Sequence, residues 1–203
     1  RRLGNGDYDA DLMGDAYEML LKKFADLSKA KAGEFYTPRS VVKLLVRILD
    51  PKPGETVYDP ACGSGNFLTE TYLQLRRLEN DAIKLIYPNP SLDVGQAKDV
   101  IKVSIQQFYG IEINDFAVSV AKTALWIAES QMLEETKDIF YADWDFLPLK
   151  TYTNIHEGNA LRMDWNKVIP NYACHYIMGN PPFIGYKLLS GNQKGDLINL
   201  MGS

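Results

Sequence analysis

The sequence predicts an α/β fold built on a doubly wound parallel sheet, and three observations carry that prediction. Short strand-like runs alternate with segments of helical periodicity, a pattern that implies parallel pairing and a sheet covered by helices on both faces. The first strand runs into a glycine turn, "DPACGSGNF" (59–67), that opens a helix. The second strand ends on an acid, Glu112 in "YGIEIND". A glycine turn and a strand-end acid in that order are how such sheets bind nucleotide-like ligands.

The elements follow in order. Residues 1–11 are polar and acidic, and Leu12, Met13, Tyr17, Leu20, Leu21 and Phe24 then recur at helical spacing. Asp7, Asp9, Asp11 and Glu18 match the carboxylate spacing of a calcium loop. That loop needs glycine at its sixth position, where Leu12 stands, so a capped amphipathic helix is the better reading. After a Lys/Ala-rich connector, Thr37 followed by Pro38 predicts an N-cap with proline at the first helical position. The helix it opens carries Val41, Val42, Leu44, Leu45, Ile48 and Leu49. The turn "PKPG" (51–54) precedes the first strand, and the helix after the glycine turn is expected to reach about Glu79. Residues 80–105 read as an irregular polar insertion. The strongest helix runs from Phe116 to about Glu134, with a third short strand in "NIHEGNALRMDW" and a fourth in "CHYIMGNPPF". Residues 1–50 are expected to form an N-terminal helical segment and 51–203 the sheet-bearing core.

Composition narrows the class. A chain of 203 residues, 46% hydrophobic and 24% charged, can bury one substantial core. No apolar run approaches the ~20 residues of a membrane helix, and the N-terminus lacks the apolar stretch of a signal peptide. Two cysteines, Cys62 and Cys174, suit a reducing, cytoplasmic setting, and two histidines make no metal site by themselves. The net charge of −4 argues against these residues gripping a polyanion unaided, because a nucleic-acid binder needs a basic surface.

The glycine turn lacks Gly-Lys-Ser/Thr, so it is not an ATPase phosphate loop, and Leu68 stands where a dinucleotide fingerprint has its third glycine. Gly63 and Gly65 still allow a tight turn and close backbone approach. A nucleoside without phosphates, such as S-adenosylmethionine, suits this helix start. Glu112 can accept bonds from both hydroxyls of a ribose.

In a sheet of order 3-2-1-4 the loops after the first and fourth strands border one crevice. The fourth strand ends in "IMGNPPF", which puts Asn180 in front of whatever the glycine turn holds. An exocyclic amino group on a heteroaromatic ring is a poor nucleophile, because its lone pair is delocalised. Two acceptors, the Asn180 amide oxygen and the Pro181 carbonyl, favour the pyramidal nitrogen needed for attack. Pro181 and Pro182 fix φ and add no N–H donors, and Phe183 can stack on a base.

In combination, "GEFYTP", "DPACGSGNFL", "YGIEIN", "EGNAL" and "GNPPF" resemble the motif set of the N6-adenine DNA methyltransferases. The wording is most similar to type I modification subunits and to the type IIG, MmeI-like restriction–modification enzymes, from about Asp11 to Tyr186. The resemblance implies a Rossmann-like class I S-adenosylmethionine-dependent methyltransferase fold, partial here and preceded by N-terminal helices. It implies that Phe35, Tyr36 and Thr37 contact the methionine part of the cofactor, and that Asp59, Ala61, Gly63 and Gly65 line its amino-acid and ribose side. Glu112 would hold the ribose and Ile113 the adenine face, with Asn159 and Ala160 at the adenine edge. Asn180, Pro181, Pro182 and Phe183 would form the catalytic loop. Asp164 competes with Asn159, because members of the family often carry Asp at that motif position.

The implied partner is double-stranded DNA with a flipped adenine, read by a specificity subunit or by fused recognition and nuclease domains, in a prokaryotic cytoplasm. The chain ends soon after the catalytic loop, so the recognition domain and further strands are expected elsewhere. These 203 residues are expected to bind S-adenosylmethionine weakly or moderately without methylating DNA efficiently. The alternatives are N4-cytosine methylation, which Asn rather than Ser before Pro-Pro disfavours, and methylation of a protein glutamine by a similar Asn-Pro-Pro loop. A non-catalytic scaffold retaining the fold is the reading from another class.

Overall fold

The computed structural model describes residues 37–87, 100–140, 154–181 and 185–201, together with Met19. The chain divides into two compact units, Arg1–Tyr36 and Thr37–Ser203, and every element below belongs to the second. Among the described residues no helix is long and apolar enough to cross a membrane. The calcium-like carboxylates and most of the first amphipathic helix lie outside the described residues.

Four strands form one parallel sheet: β1 (Val57–Asp59), β2 (Phe108–Glu112), β3 (Ile155–Glu157) and β4 (Tyr176–Ile177). Their order is β3-β2-β1-β4, as the sequence predicts. Alternate residues of a strand face opposite sides, and the two sides have different partners. Val57, Phe108 and Ile155 point into the main core with Leu68, Tyr72, Leu125 and Met132. That core is supplied by α1 (Arg39–Leu49), α2 (Asn66–Ile86) and α3 (Asp115–Phe140). Tyr58 and Ile111 point the other way, onto Val168 and Ile169. Both sides are thus covered, but the second is closed among the described residues by 3-10 turns at Trp165–Lys167 and Asn171–Ala173. Each fully buried Leu, Ile or Phe in these layers contributes about 1.5–3 kcal/mol. A further helix, α4 (Gly191–Met201), follows the Asn-Pro-Pro turn.

Two local expectations are corrected. Pro38, not Thr37, occupies the N-cap of α1; its carbonyl accepts from the Val41 and Val42 amides at 2.9 and 3.1 Å, and no side chain caps the helix. The Thr37 hydroxyl is used elsewhere, as described below. Helix α2 also continues seven residues past Glu79, to Ile86. The sequence conceals this because Arg76, Glu79 and Asn80 resemble a solvent face, whereas all three are buried. Arg76 is fully enclosed, paired with Glu79 and 2.6 Å from the Thr136 hydroxyl on α3. Glu79 in turn accepts from the Lys102 and Val103 amides at 2.6 and 3.1 Å. A polar seam therefore joins α2, α3 and the segment leading to β2, and such groups are tolerated in a core only when paired.

Candidate active site

Parallel pairing brings the C-terminal ends of all four strands to one edge of the sheet. Asp59 pairs with Gly110, Glu112 with Glu157, and Tyr58 with Ile177. Two residues beyond that last pair, Gly179 presses against Asp59, so closely that a Cβ there would sit 2.3 Å from Asp59 Oδ1. The turns after β1 and β4 are therefore in direct contact, and Asn180 follows immediately.

The glycine turn is built from two conformations that L side chains rarely adopt, φ +54° at Gly63 and φ +86° at Gly65. The two serve different ends. Gly65 starts α2 and lies against α3, where an added Cβ would meet Ala121 Cβ at 3.0 Å. A Cβ on Gly63 would meet nothing within 4 Å, so this part of the turn is open. Its amide donates to Glu112 Oε2 at 3.0 Å, tying the turn to the end of β2. Glu112 Oε1 accepts from the Asn114 amide at 2.9 Å. A carboxylate offers about four acceptor sites, so capacity remains on both oxygens.

Asp59 is fully buried. One oxygen accepts from the Ala61 amide at 2.9 Å, and Oδ2 has no hydrogen-bond partner. Burial pushes its carboxyl up to about 7, against the opposing Ala61 bond and with a further push from the Glu112 charge. Burial likewise raises the Cys62 thiol far above its ordinary range, so Cys62 packs rather than reacts.

On the far side of the crevice the Asn180 side chain is exposed and donates from Nδ2 to Thr37 Oγ1 at 3.1 Å, across 143 residues of sequence. That bond uses one N–H of the amide and leaves its carbonyl oxygen as an acceptor. Ile113, 68% exposed, follows Glu112 at the end of β2, an unusual exposure for a large apolar side chain immediately after a buried strand. Ala160 is half-buried in the second core, and its carbonyl accepts from Trp165 Nε1 at 2.8 Å. Asn159 accepts from the Leu161 amide at 2.9 Å and donates to Asp196 at 3.0 Å. Asp164 instead caps the 3-10 turn that follows it, accepting from the Asn166 amide at 3.0 Å. Pro181 is exposed, while Phe35, Tyr36, Pro182 and Phe183 lie outside the described residues.

Three contributors escaped the sequence reading. Gly179 was legible only as a turn residue. Asn114 supports Glu112 through its amide and caps α3 by accepting from the Ala117 amide at 3.0 Å. "IND" before an apolar-periodic run is an N-cap signal that could have found it. Asp196 gave no signal, since nothing local links it to residue 159.

An open glycine turn tied to a strand-end acid, beside a turn that carries an exposed amide, at the C-terminal edge of a doubly wound parallel sheet, is the arrangement expected of a methyltransferase of that class. The profile of the MmeI DNA-methyltransferase domain matches residues 35–203, and the chain belongs to that family. It is 45% identical over 148 residues to DNA methyltransferase A of Bacillus subtilis, covering 71% of this chain and 16% of the relative. It is 34% identical over 176 residues to the type I restriction enzyme MjaVIII methylase subunit of Methanocaldococcus jannaschii, covering 84% of this chain and 28% of that subunit. Among solved structures, the type IIL restriction–modification enzyme MmeI in complex with DNA superimposes with a TM-score of 0.69 at 33% identity. That match covers 93% of this chain and 25% of the MmeI chain. The chain thus spans less than a third of each of these relatives.

Proposed function

We propose that these residues form the catalytic core of an S-adenosylmethionine-dependent DNA methyltransferase acting on the N6 amino group of adenine. The observation that carries this reading is the contact of Gly179 with Asp59, which sets the glycine turn and the Asn180 amide side by side at one sheet edge.

The residues fit the cofactor. The open flank of Gly63 leaves room for a nucleoside against the backbone, and Glu112 keeps acceptor capacity for the two ribose hydroxyls. Ile113 offers an exposed apolar surface to a purine face. Asp59 Oδ2, buried without a partner, is an acceptor for a cationic group of the ligand. Asn159 and Ala160 take the adenine edge, and Thr37 the methionine end. When bound, S-adenosylmethionine supplies a methyl group activated by its sulfonium.

The protein's part is to hold an amino group in line and to favour its pyramidal form. Asn180, held through its Nδ2 by Thr37, keeps its carbonyl oxygen to accept one amino hydrogen, and the Pro181 carbonyl accepts the other. Prolines 181 and 182 keep that carbonyl in one direction, and Phe183 stacks on the base. Neither acceptor is basic enough to take the amino proton beforehand; it departs to solvent once the nitrogen carries its fourth substituent. In duplex DNA the adenine has to be rotated out of the stack, at a cost of a few kcal/mol. MmeI is solved in complex with DNA. The net charge of −4 supports a DNA grip supplied by fused domains or a specificity subunit rather than by these residues alone.

The test is transfer of labelled methyl to adenine-containing duplex, to adenine-free duplex and to protein acceptors, using the natural polypeptide that contains these residues and its Asn180→Ala variant. Adenine-dependent labelling, abolished by Asn180→Ala with cofactor binding spared, is expected. Labelling that survives the substitution, or goes to cytosine or protein, refutes the reading.

A further inference from the structure

Asp196 lies on α4, beyond the Asn-Pro-Pro turn, yet its side chain reaches back to the segment after β3. It is buried, although α4 is otherwise largely exposed. Its Oδ2 accepts from Asn159 Nδ2 at 3.0 Å and its Oδ1 from Arg162 Nε at 2.7 Å. The two donors hold its carboxyl below the usual carboxylate range, Arg162 contributing most. The Asn159 amide is thereby fixed at both ends, since its oxygen also accepts from the Leu161 amide at 2.9 Å.

We infer that Asp196 is a positioning residue that sets the orientation of the Asn159 amide, and through it the preference of the cofactor site for a 6-amino purine. The inference rests on the reading of Asn159 as the adenine-edge contact. A carboxamide has two N–H donors and two acceptor lone pairs. Here one donor goes to Asp196 and one lone pair to Leu161, leaving one of each for a ligand. Adenine presents an amino donor beside a ring-nitrogen acceptor; a 6-oxo purine presents the reverse. An amide free to rotate by a half-turn serves either. With Asp196 in place the rotated amide would set its carbonyl oxygen against a carboxylate, which is strongly unfavourable. Asp196 therefore allows only one orientation. Because α4 begins ten residues beyond Pro181, the same residue ties the cofactor side of the crevice to the segment that follows the target side.

The test is the ratio of dissociation constants for S-adenosylhomocysteine and S-inosylhomocysteine, measured calorimetrically on the natural polypeptide that contains these residues. The isosteric Asp196→Asn removes the charge, and its own amide can turn to suit either orientation of Asn159. It should shrink the native preference for the adenosine form about tenfold, the equivalent of one charge-assisted hydrogen bond. Asn159→Asp sets two carboxylates in contact and should weaken binding of the adenosine form. The double exchange N159D/D196N restores a charge-assisted pair and should recover it. An unchanged ratio in Asp196→Asn, equal weakening of both ligands, or a double exchange no better than Asn159→Asp overturns the inference. Equal weakening is what a merely structural contact would give. If the native chain binds neither nucleoside, the cofactor reading fails and this inference falls with it.

Discussion

Asp59 offers the sharpest physical test, because its carboxyl is buried beside a second carboxylate and half of it is unpartnered. An acid held near 7 in the fold and near 3.8 when unfolded binds its proton more tightly in the native state. Between those values the native state carries more protons than the unfolded one, so stability falls as pH rises. The penalty is absent below the unfolded value, grows from about pH 4 and levels off above about pH 7. Applied to these two values, linkage gives a loss of about 2–3 kcal/mol between pH 5 and pH 8, and about 4 kcal/mol over the full range. Asp59→Asn keeps an acceptor for the Ala61 amide and removes the titration. The assay is urea unfolding of both proteins at pH 5, 6, 7 and 8. The difference in stability between variant and native should shift in favour of the variant by that amount as pH rises. Parallel curves, agreeing within about 0.5 kcal/mol in slope across the range, would mean that the carboxyl ionises at its ordinary value; the burial argument would then be wrong. The same linkage predicts that a cationic ligand drawing Asp59 into its charged form binds more tightly as pH rises through 7, with proton release visible by calorimetry in buffers of different ionisation enthalpy.

Other outcomes follow from single contacts. Gly179→Ala drives a Cβ into Asp59 and should cost about 1–3 kcal/mol in denaturant stability while weakening cofactor binding; a neutral effect on both would remove the proposed contact between the two turns. Thr37→Val deletes the hydroxyl that holds Asn180, and should lower kcat of the natural enzyme at saturating cofactor by about tenfold. Thr37→Ser should restore it; a weaker cofactor dissociation constant with kcat unchanged would assign Thr37 to the cofactor alone. Arg76→Met strands Glu79 in the core and should destabilise by about 3–5 kcal/mol, read from chemical unfolding. Gly65→Ala meets both a left-handed φ and Ala121, and its melting temperature should fall where that of Gly54→Ala, strained but open, falls less.

The sequence alone determined the sheet, because strand and helix periodicities differ and parallel strands need crossovers. It also placed the glycine turn, the strand-end acid and the Asn-Pro-Pro turn at one edge, since strand order follows from the doubly wound connection. It misjudged α2, where Arg76 and Glu79 look like solvent-facing residues until α3 and the Lys102–Val103 backbone supply their partners. It misassigned the Thr37 hydroxyl because N-capping is a local rule, and a partner 143 residues away competes outside any local pattern. Asp196 was invisible for the same reason. Periodicity and turn chemistry are properties of neighbours along the chain; which buried donor meets which acceptor is decided only when distant segments pack, and there the three-dimensional structure alone could rule.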